Sequence, residues 1–116
     1  MNQAIDLKEV LERVQDDKEL LLELLSIFQE DFQQKRKSLD QFLQSKDSEQ
    51  IKSIAHSLKG ASGNISAKKL HGSFIKLETM AQSKEFDQMN QLVKDIDQQF
   101  SELELYTKQL VQQFKH

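Results

Sequence analysis

Apolar residues recur every three or four positions along most of this chain, which is the spacing of one face of an α-helix. The pattern predicts a short amphipathic helix over residues 6–14, followed by four longer helices over residues 17–43, 48–65, 67–83 and 87–114. Asp6 is the expected N-cap of the first helix, because its carboxylate can accept a backbone N–H that has no partner there. Four long helices with one apolar stripe each predict an all-α fold: an antiparallel up-down four-helix bundle with a short extra N-terminal helix.

The composition agrees with this fold and excludes several classes of protein. The 116 residues include no proline, no cysteine and three glycines. A β-rich fold would need more of the glycine and proline residues that form turns. We therefore expect residues 1–116 to form a single domain without disulfides or cysteine metal sites. No apolar run is long enough to cross a bilayer, and the net charge of −3 disfavours nucleic-acid binding. We expect a cytoplasmic protein that binds neither membranes nor nucleic acid.

The third predicted helix carries a group of small and charged residues on its polar face. Its apolar stripe consists of Ile51, Ile54, Leu58, Ala61 and Ile65. His56 points almost directly away from the centre of that stripe. Lys52, Lys59 and Gly63 share the outward face with it, and Gly60 lies at the edge. The imidazole is therefore predicted to face solvent between ammonium groups and bare backbone.

Two of the three glycines lie within about two helical turns after His56. In the interior of a helix, a glycine lowers helix stability by up to about 1 kcal/mol relative to alanine. Small residues such as Gly60 and Gly63 let a second protein bring a reactive group up to the ring without striking a side chain. Lys59 would offset the roughly two negative charges of a phosphoryl group. Between residues 46 and 69 five lysines outnumber two acidic residues. The pattern predicts a histidine that carries a phosphoryl group.

In these motifs the chain resembles the histidine phosphotransfer (HPt) domains of bacterial and plant multistep phosphorelays. Those domains share a pattern close to Ala-His-x-Leu-Lys-Gly, followed by small residues, a Gly-Ala pair, a Leu, and a later Leu-Glu or Leu-Gln. The matching residues here are Ala55-His56-Ser57-Leu58-Lys59-Gly60, Ala61-Ser62-Gly63-Asn64, Ala67, Leu70 and Leu77-Glu78. Ser66 stands where the family has its usual glycine, a departure that bears on how closely a partner or helix packs at that turn.

The resemblance implies a role for each matching residue. His56 would accept the phosphoryl group, Lys59 would stabilise it, and Gly60 and Gly63 would leave space for the partner. Glu78 would hydrogen-bond the imidazole from the next helix, and its position on the flank of that helix's apolar stripe places it where it can reach across. Such a bond fixes the tautomer and leaves the other ring nitrogen its lone pair.

The expected function is that of a monomeric carrier, which accepts a phosphoryl group on His56 from the aspartyl phosphate of a response-regulator receiver domain and passes it to another receiver. The resemblance implies that the receiver supplies Mg²⁺, that a hybrid sensor histidine kinase is a possible further partner, and that the chain needs no cofactor of its own. No Gly-rich phosphate loop occurs, so we do not expect an enzyme with an ATP site. No metal site is expected either, because no pair of histidines has helical i,i+4 spacing.

Six apolar residues near the start of the chain exceed what one bundle face requires: Leu7, Val10, Val14, Leu20, Leu24 and Ile27. The pattern allows two interpretations, packing of the short first helix over the bundle or a docking patch for a partner.

Two other functions are compatible with a helical bundle. The first is a helical interaction module that binds a kinase or receiver without being phosphorylated. The second, the dimerisation segment of a sensor histidine kinase, is disfavoured because Ser57 rather than an acidic residue follows His56 and the chain has no proline. His71 and His116 are interpreted as ordinary surface or boundary histidines.

Overall fold

Five α-helices account for most of the chain in a computed structural model that describes residues 4–115. They are α1 (Leu7–Arg13), α2 (Lys18–Ser45), α3 (Ser48–Asn64), α4 (Lys68–Gln82) and α5 (Phe86–Phe114). Each predicted helix is present, and each of its ends lies within two residues of the prediction. The described residues contain no strand. The predicted helical bundle with a short N-terminal helix is confirmed.

Aspartates begin the first three helices. Asp6, Asp17 and Asp47 each accept a hydrogen bond from the backbone N–H three residues later, at 3.0–3.2 Å. Each bond satisfies an N–H that has no partner within its helix, and such caps typically contribute about 1 kcal/mol to the stability of the protein. The sequence therefore marks where α1, α2 and α3 start, whereas α4 and α5 begin without a side-chain cap.

The core follows the inward stripes of the four long helices. Phe28, Phe32, Phe74 and Phe100 form its aromatic centre, with the rings of Phe32 and Phe100 stacked at a centroid distance of 4.0 Å. These rings join α2, α4 and α5. Helix α3 adds its own apolar stripe to the same core. Because that stripe is buried, the opposite face of α3, which carries His56, is turned to solvent.

Helix α1 packs across α2 and the turn between α3 and α4. Val10 is fully buried, and Leu7 and Val14 are half-buried against the core. Val10 therefore belongs to the core instead of a docking surface, whereas packing removes only part of the Leu7 and Val14 side chains from water. The remaining part of the predicted patch lies on α2, where Leu20 is 39% and Ile27 is 55% exposed.

The turn between α3 and α4 is held by backbone and side-chain contacts to α1. Ser66 has a φ of 57°, in the left-handed region that favours glycine. Its carbonyl accepts the N–H of Asp6 at 2.8 Å, and its hydroxyl donates to Glu9 at 3.1 Å. The same carboxylate binds Lys68, which keeps the pKa of Glu9 below its ordinary value. The serine at this position thus ties the turn to α1.

None of the helices within residues 4–115 combines the length and the apolar character needed to cross a membrane.

Candidate functional site

His56 lies in the middle of α3 on the face opposite the core. Its side chain is 70% exposed, whereas its neighbours Ala55 and Leu58 are buried. The exposure follows from the helical period, because the residues that α3 buries recur at spacings of three and four and His56 falls outside their stripe. The ring is open to a molecule that approaches from solvent.

Glu78 reaches across from α4 to hold the imidazole. Its Oε2 lies 2.9 Å from His56 Nδ1. An ionised carboxylate can only accept a hydrogen bond, so in the neutral ring Nδ1 carries the hydrogen and Nε2 keeps its lone pair. The contact therefore fixes the ring orientation and leaves Nε2 as the nucleophilic nitrogen.

Lys59 binds the other oxygen of the same carboxylate. Its Nζ donates to Glu78 Oε1 at 2.7 Å, and both side chains are half-buried. The hydrogen bond from Lys59, supported by that from His56, holds the pKa of Glu78 below its ordinary value of 4.5, although burial acts in the opposite direction. Glu78 is thus ionised at neutral pH and binds both residues. The resting protein pairs Lys59 instead of leaving it free on the outward face.

A shallow depression surrounds the ring, lined by Glu49, Lys52, Ser53, His56 and Glu78. Glu49 and Ser53 were not among the predicted site residues. Both precede His56 at helical spacing, seven and three residues before it, so their place on the same face was available from the period alone.

The two glycines of the motif have different surroundings. A Cβ added at Gly60 would have no heavy atom within 4 Å, so the surface there is open. A Cβ at Gly63 would lie 3.2 Å from His71 Nδ1 and 3.3 Å from its Cε1. The missing side chain at Gly63 therefore makes room for His71 of α4, and the predicted role of Gly63 in the approach of a partner stays a prediction.

His71 is a half-buried boundary residue in the structure. Its Nδ1 lies 2.8 Å from the backbone carbonyl oxygen of Lys59. Four residues further along α3, the carbonyl of Gly63 accepts a hydrogen bond from Arg13 of α1 at 2.7 Å. Neither contact could be predicted from helical spacing, since the partners are 12 and 50 residues apart.

The described part of the chain, residues 4–115, has no group of three or more His, Asp or Glu side chains arranged to hold a metal ion. His116 lies outside the described residues.

Comparisons with known proteins agree with this geometry. The family model for the Hpt domain matches residues 23–113, a segment that includes His56, Lys59 and Glu78 and leaves out α1. A sequence comparison with curated proteins finds no significant match. Among solved structures, the chain is similar to the crystal structure of histidine-containing phosphotransfer protein B (HptB) from Pseudomonas aeruginosa PAO1. That match has a TM-score of 0.87 and 28% sequence identity, and covers 97% of this chain and 98% of that chain. The chain therefore belongs to the Hpt domain family and is a histidine phosphotransfer protein of a phosphorelay.

Proposed function

We propose that His56 is the phosphoryl acceptor, and that the chain takes the group from the aspartyl phosphate of one response-regulator receiver domain and returns it to the aspartate of another. One observation carries this proposal: the exposed ring has Nδ1 bound to Glu78 at 2.9 Å and Nε2 left open. In the forward step the Nε2 lone pair forms the N–P bond as the P–O bond to the aspartate breaks. The receiver keeps the released carboxylate.

Two further residues support the transfer in this proposal. After the transfer the phosphoryl group carries roughly two negative charges near neutral pH. Lys59, one turn after His56 on α3, turns its ammonium from Glu78 towards that charge. Gly60 leaves the surface beside the ring open, so the receiver's reactive group approaches without striking a side chain.

As an Hpt phosphotransfer protein the chain is a carrier rather than a classical enzyme. We propose that it has no ATP site and no cofactor of its own, and that the receiver supplies the Mg²⁺ that neutralises charge during transfer. We also propose that residues 1–116 act as a monomeric single domain in the cytoplasm, with a hybrid sensor histidine kinase as a further partner.

The receiver contacts the exposed stripe of α2 in this proposal. Leu20, Leu24 and Ile27 lie on one face of α2, and Leu20 and Ile27 remain exposed after the bundle has formed. Ile27→Gln is therefore expected to weaken receiver binding. Leu105→Gln is the matched control, because Leu105 is 59% exposed but lies on α5. Calorimetry measures the affinity of both variants for the receiver. Equal affinities would show that the α2 stripe is not part of the interface.

The acceptor is tested by incubating the chain with a ³²P-phosphorylated receiver and measuring acid-labile label on the chain. His56→Gln keeps His71 and His116, so complete loss of label in this variant assigns the phosphoryl group to His56. The exposed position of the ring means that the helical circular dichroism spectrum should not change. Label that persists in His56→Gln would contradict the proposal. Receiver binding without label on the unmutated chain would support the interaction module instead.

A further inference from the structure

The backbone carbonyl of Lys59 receives two side-chain hydrogen bonds. Ser62 Oγ donates to it at 3.0 Å from within α3, and His71 Nδ1 lies 2.8 Å away on α4. A carbonyl oxygen only accepts, so Nδ1 of His71 carries a hydrogen. A carbonyl in a helix interior already has a partner in the N–H four residues later, so the bond from His71 is not needed to satisfy the backbone. Its effect is to hold this turn of α3 against α4.

Gly63 makes this bond possible. A side chain at Gly63 would start 3.2 Å from His71 Nδ1 and 3.3 Å from Cε1, tighter than ordinary van der Waals contact, so the imidazole that bonds the carbonyl of Lys59 would have to shift by a few tenths of an ångström. A glycine inside a helix costs up to about 1 kcal/mol relative to alanine. Its close contact with His71 gives a physical reason for Gly63 that does not involve a partner protein.

Two side chains of α4 thus hold the two ends of Lys59. His71 binds its backbone carbonyl at 2.8 Å, and Glu78 binds its ammonium at 2.7 Å. Glu78 also binds the ring of His56. The position of the Lys59 backbone relative to α4 therefore determines whether the ammonium reaches the carboxylate beside the acceptor ring.

We propose that His71 is a positioning residue for phosphotransfer, which holds the carbonyl of Lys59 so that its ammonium lies at Glu78 beside His56. The inference rests on the proposed roles of His56 and Lys59. It assigns a role to His71, and to Gly63 as the residue that makes room for it, although neither touches the reacting atoms.

The first test compares variants that keep or remove the N–H donor at position 71, which bonds the carbonyl of Lys59. His71→Ala removes it, whereas His71→Asn keeps an N–H at a similar distance from the backbone. We expect His71→Ala to slow transfer roughly threefold or more at saturating receiver, within the range of couplings between contacting residues, with no change in the receiver concentration at half-maximal rate. His71→Asn should recover most of the rate. Gly63→Ala should behave like His71→Ala, whereas Gly72→Ala should match the unmutated chain because nothing lies within 4 Å of its Cβ position.

The second test separates positioning from a general structural effect. If His71 acts through Lys59, His71→Ala should cause no further loss of rate in a Lys59→Ala background. An NMR titration of Glu78 needs no phosphotransfer, and in His71→Ala the pKa of Glu78 should rise towards its ordinary value because the ion pair with Lys59 loosens. Failure of every receiver to label the unmutated chain would reject the proposed function, whereas this titration would still test His71. An unchanged Glu78 pKa, or rate losses for His71→Ala and Lys59→Ala that multiply, would overturn the inference.

Discussion

Lys59 and Glu78 form a 2.7 Å ion pair that joins the two helices of the site. The second oxygen of the same carboxylate binds Nδ1 of His56. In the resting protein Glu78 therefore both orients the imidazole of His56 and holds the ammonium of Lys59 beside it. In the proposed transfer, Lys59 leaves Glu78 for the phosphoryl group on Nε2, so the ion pair would keep a positive charge near the ring before that charge is needed.

Loss of the Lys59 ammonium is expected to affect the phosphorylated state more than the fold. Lys59→Ala should change the free energy of unfolding by no more than about 1 kcal/mol, as is typical for partly exposed ion pairs. The lifetime of phosphohistidine or the rate of transfer should fall roughly tenfold, which corresponds to the loss of about 1.4 kcal/mol of charge stabilisation. Decay of ³²P label measures the lifetime, and single-turnover transfer measures the rate.

Lys76→Ala is the control for this experiment, since Lys76 is an exposed lysine on α4 and its removal changes the net charge equally. If both lysine variants behave alike, a general charge effect explains the result and Lys59 has no specific role.

Glu78 makes the stability of the bundle depend on pH in a defined direction. Its pKa in the folded protein lies below the ordinary value of 4.5 because Lys59 and His56 bond to the ionised form. A lowered pKa contributes stability that is present above 4.5 and is lost as the pH falls through the folded value. The unmutated chain should therefore be more stable than Glu78→Gln at pH 7, and the difference should shrink below pH 4.5.

Urea unfolding of both proteins from pH 7 to pH 3 measures this difference, and the other carboxylates cancel in the comparison. A difference that stays constant over the whole range would show that Glu78 titrates alike in the folded and unfolded chains.

The open surface at Gly60 and the equally open surface at Gly72 provide a matched pair of variants. Neither position has a heavy atom within 4 Å of an added Cβ, so Gly60→Ala and Gly72→Ala should each stabilise the domain by about 0.5–1 kcal/mol. Only Gly60 lies beside His56, so only Gly60→Ala should slow phosphotransfer from a receiver. Thermal melts and transfer assays on both variants measure the two effects. Equal transfer rates would mean that close approach at Gly60 is not required.

Ser66 combines a backbone penalty with a useful hydroxyl. Its φ of 57° costs a residue with a Cβ about 1–2 kcal/mol, and its hydroxyl donates to Glu9 at 3.1 Å. Ser66→Ala loses the hydrogen bond and keeps the penalty, whereas Ser66→Gly loses both. The glycine variant should therefore be more stable than the alanine variant by about 1 kcal/mol. Chemical denaturation decides the order, and an alanine variant at least as stable as the glycine variant would show that the turn is not strained.

The helices and the orientation of His56 were predictable because both follow from local rules. The period of apolar residues determines which face of α3 is buried, and the aspartate caps mark where α1, α2 and α3 begin. The contact between His56 and Glu78 was expected from the family resemblance and from the place of Glu78 on the flank of α4, and the structure shows it at 2.9 Å.

The position of α1 was not predictable from periodicity. The chain turns through Gln15 and Asp16, two consecutive residues with φ of 54° and 61°. Aspartate is common in such turns, but glutamine is not a residue type that announces one. This turn decides that Val10 packs into the core instead of lying in an exposed patch.

The environment of Gly63 escaped prediction for a related reason. The helical period places Gly63 on the outward face of α3, but it does not show which residue of α4 approaches that face. His71 does so in the structure. Contacts between side chains of different helices depend on how the helices pack, and that information is not contained in the pattern of any one helix.

The most direct measurement is the identity of the phosphorylated nitrogen, obtained by ¹H–³¹P correlation NMR of the chain after transfer from a phosphorylated receiver. Nε2 has a hydrogen-bearing carbon on each side, whereas Nδ1 has only one. If Glu78 holds Nδ1 and Nε2 attacks, the phosphorus should couple to both ring protons of His56. Coupling to a single ring proton, or to the ring of another histidine, would contradict the account.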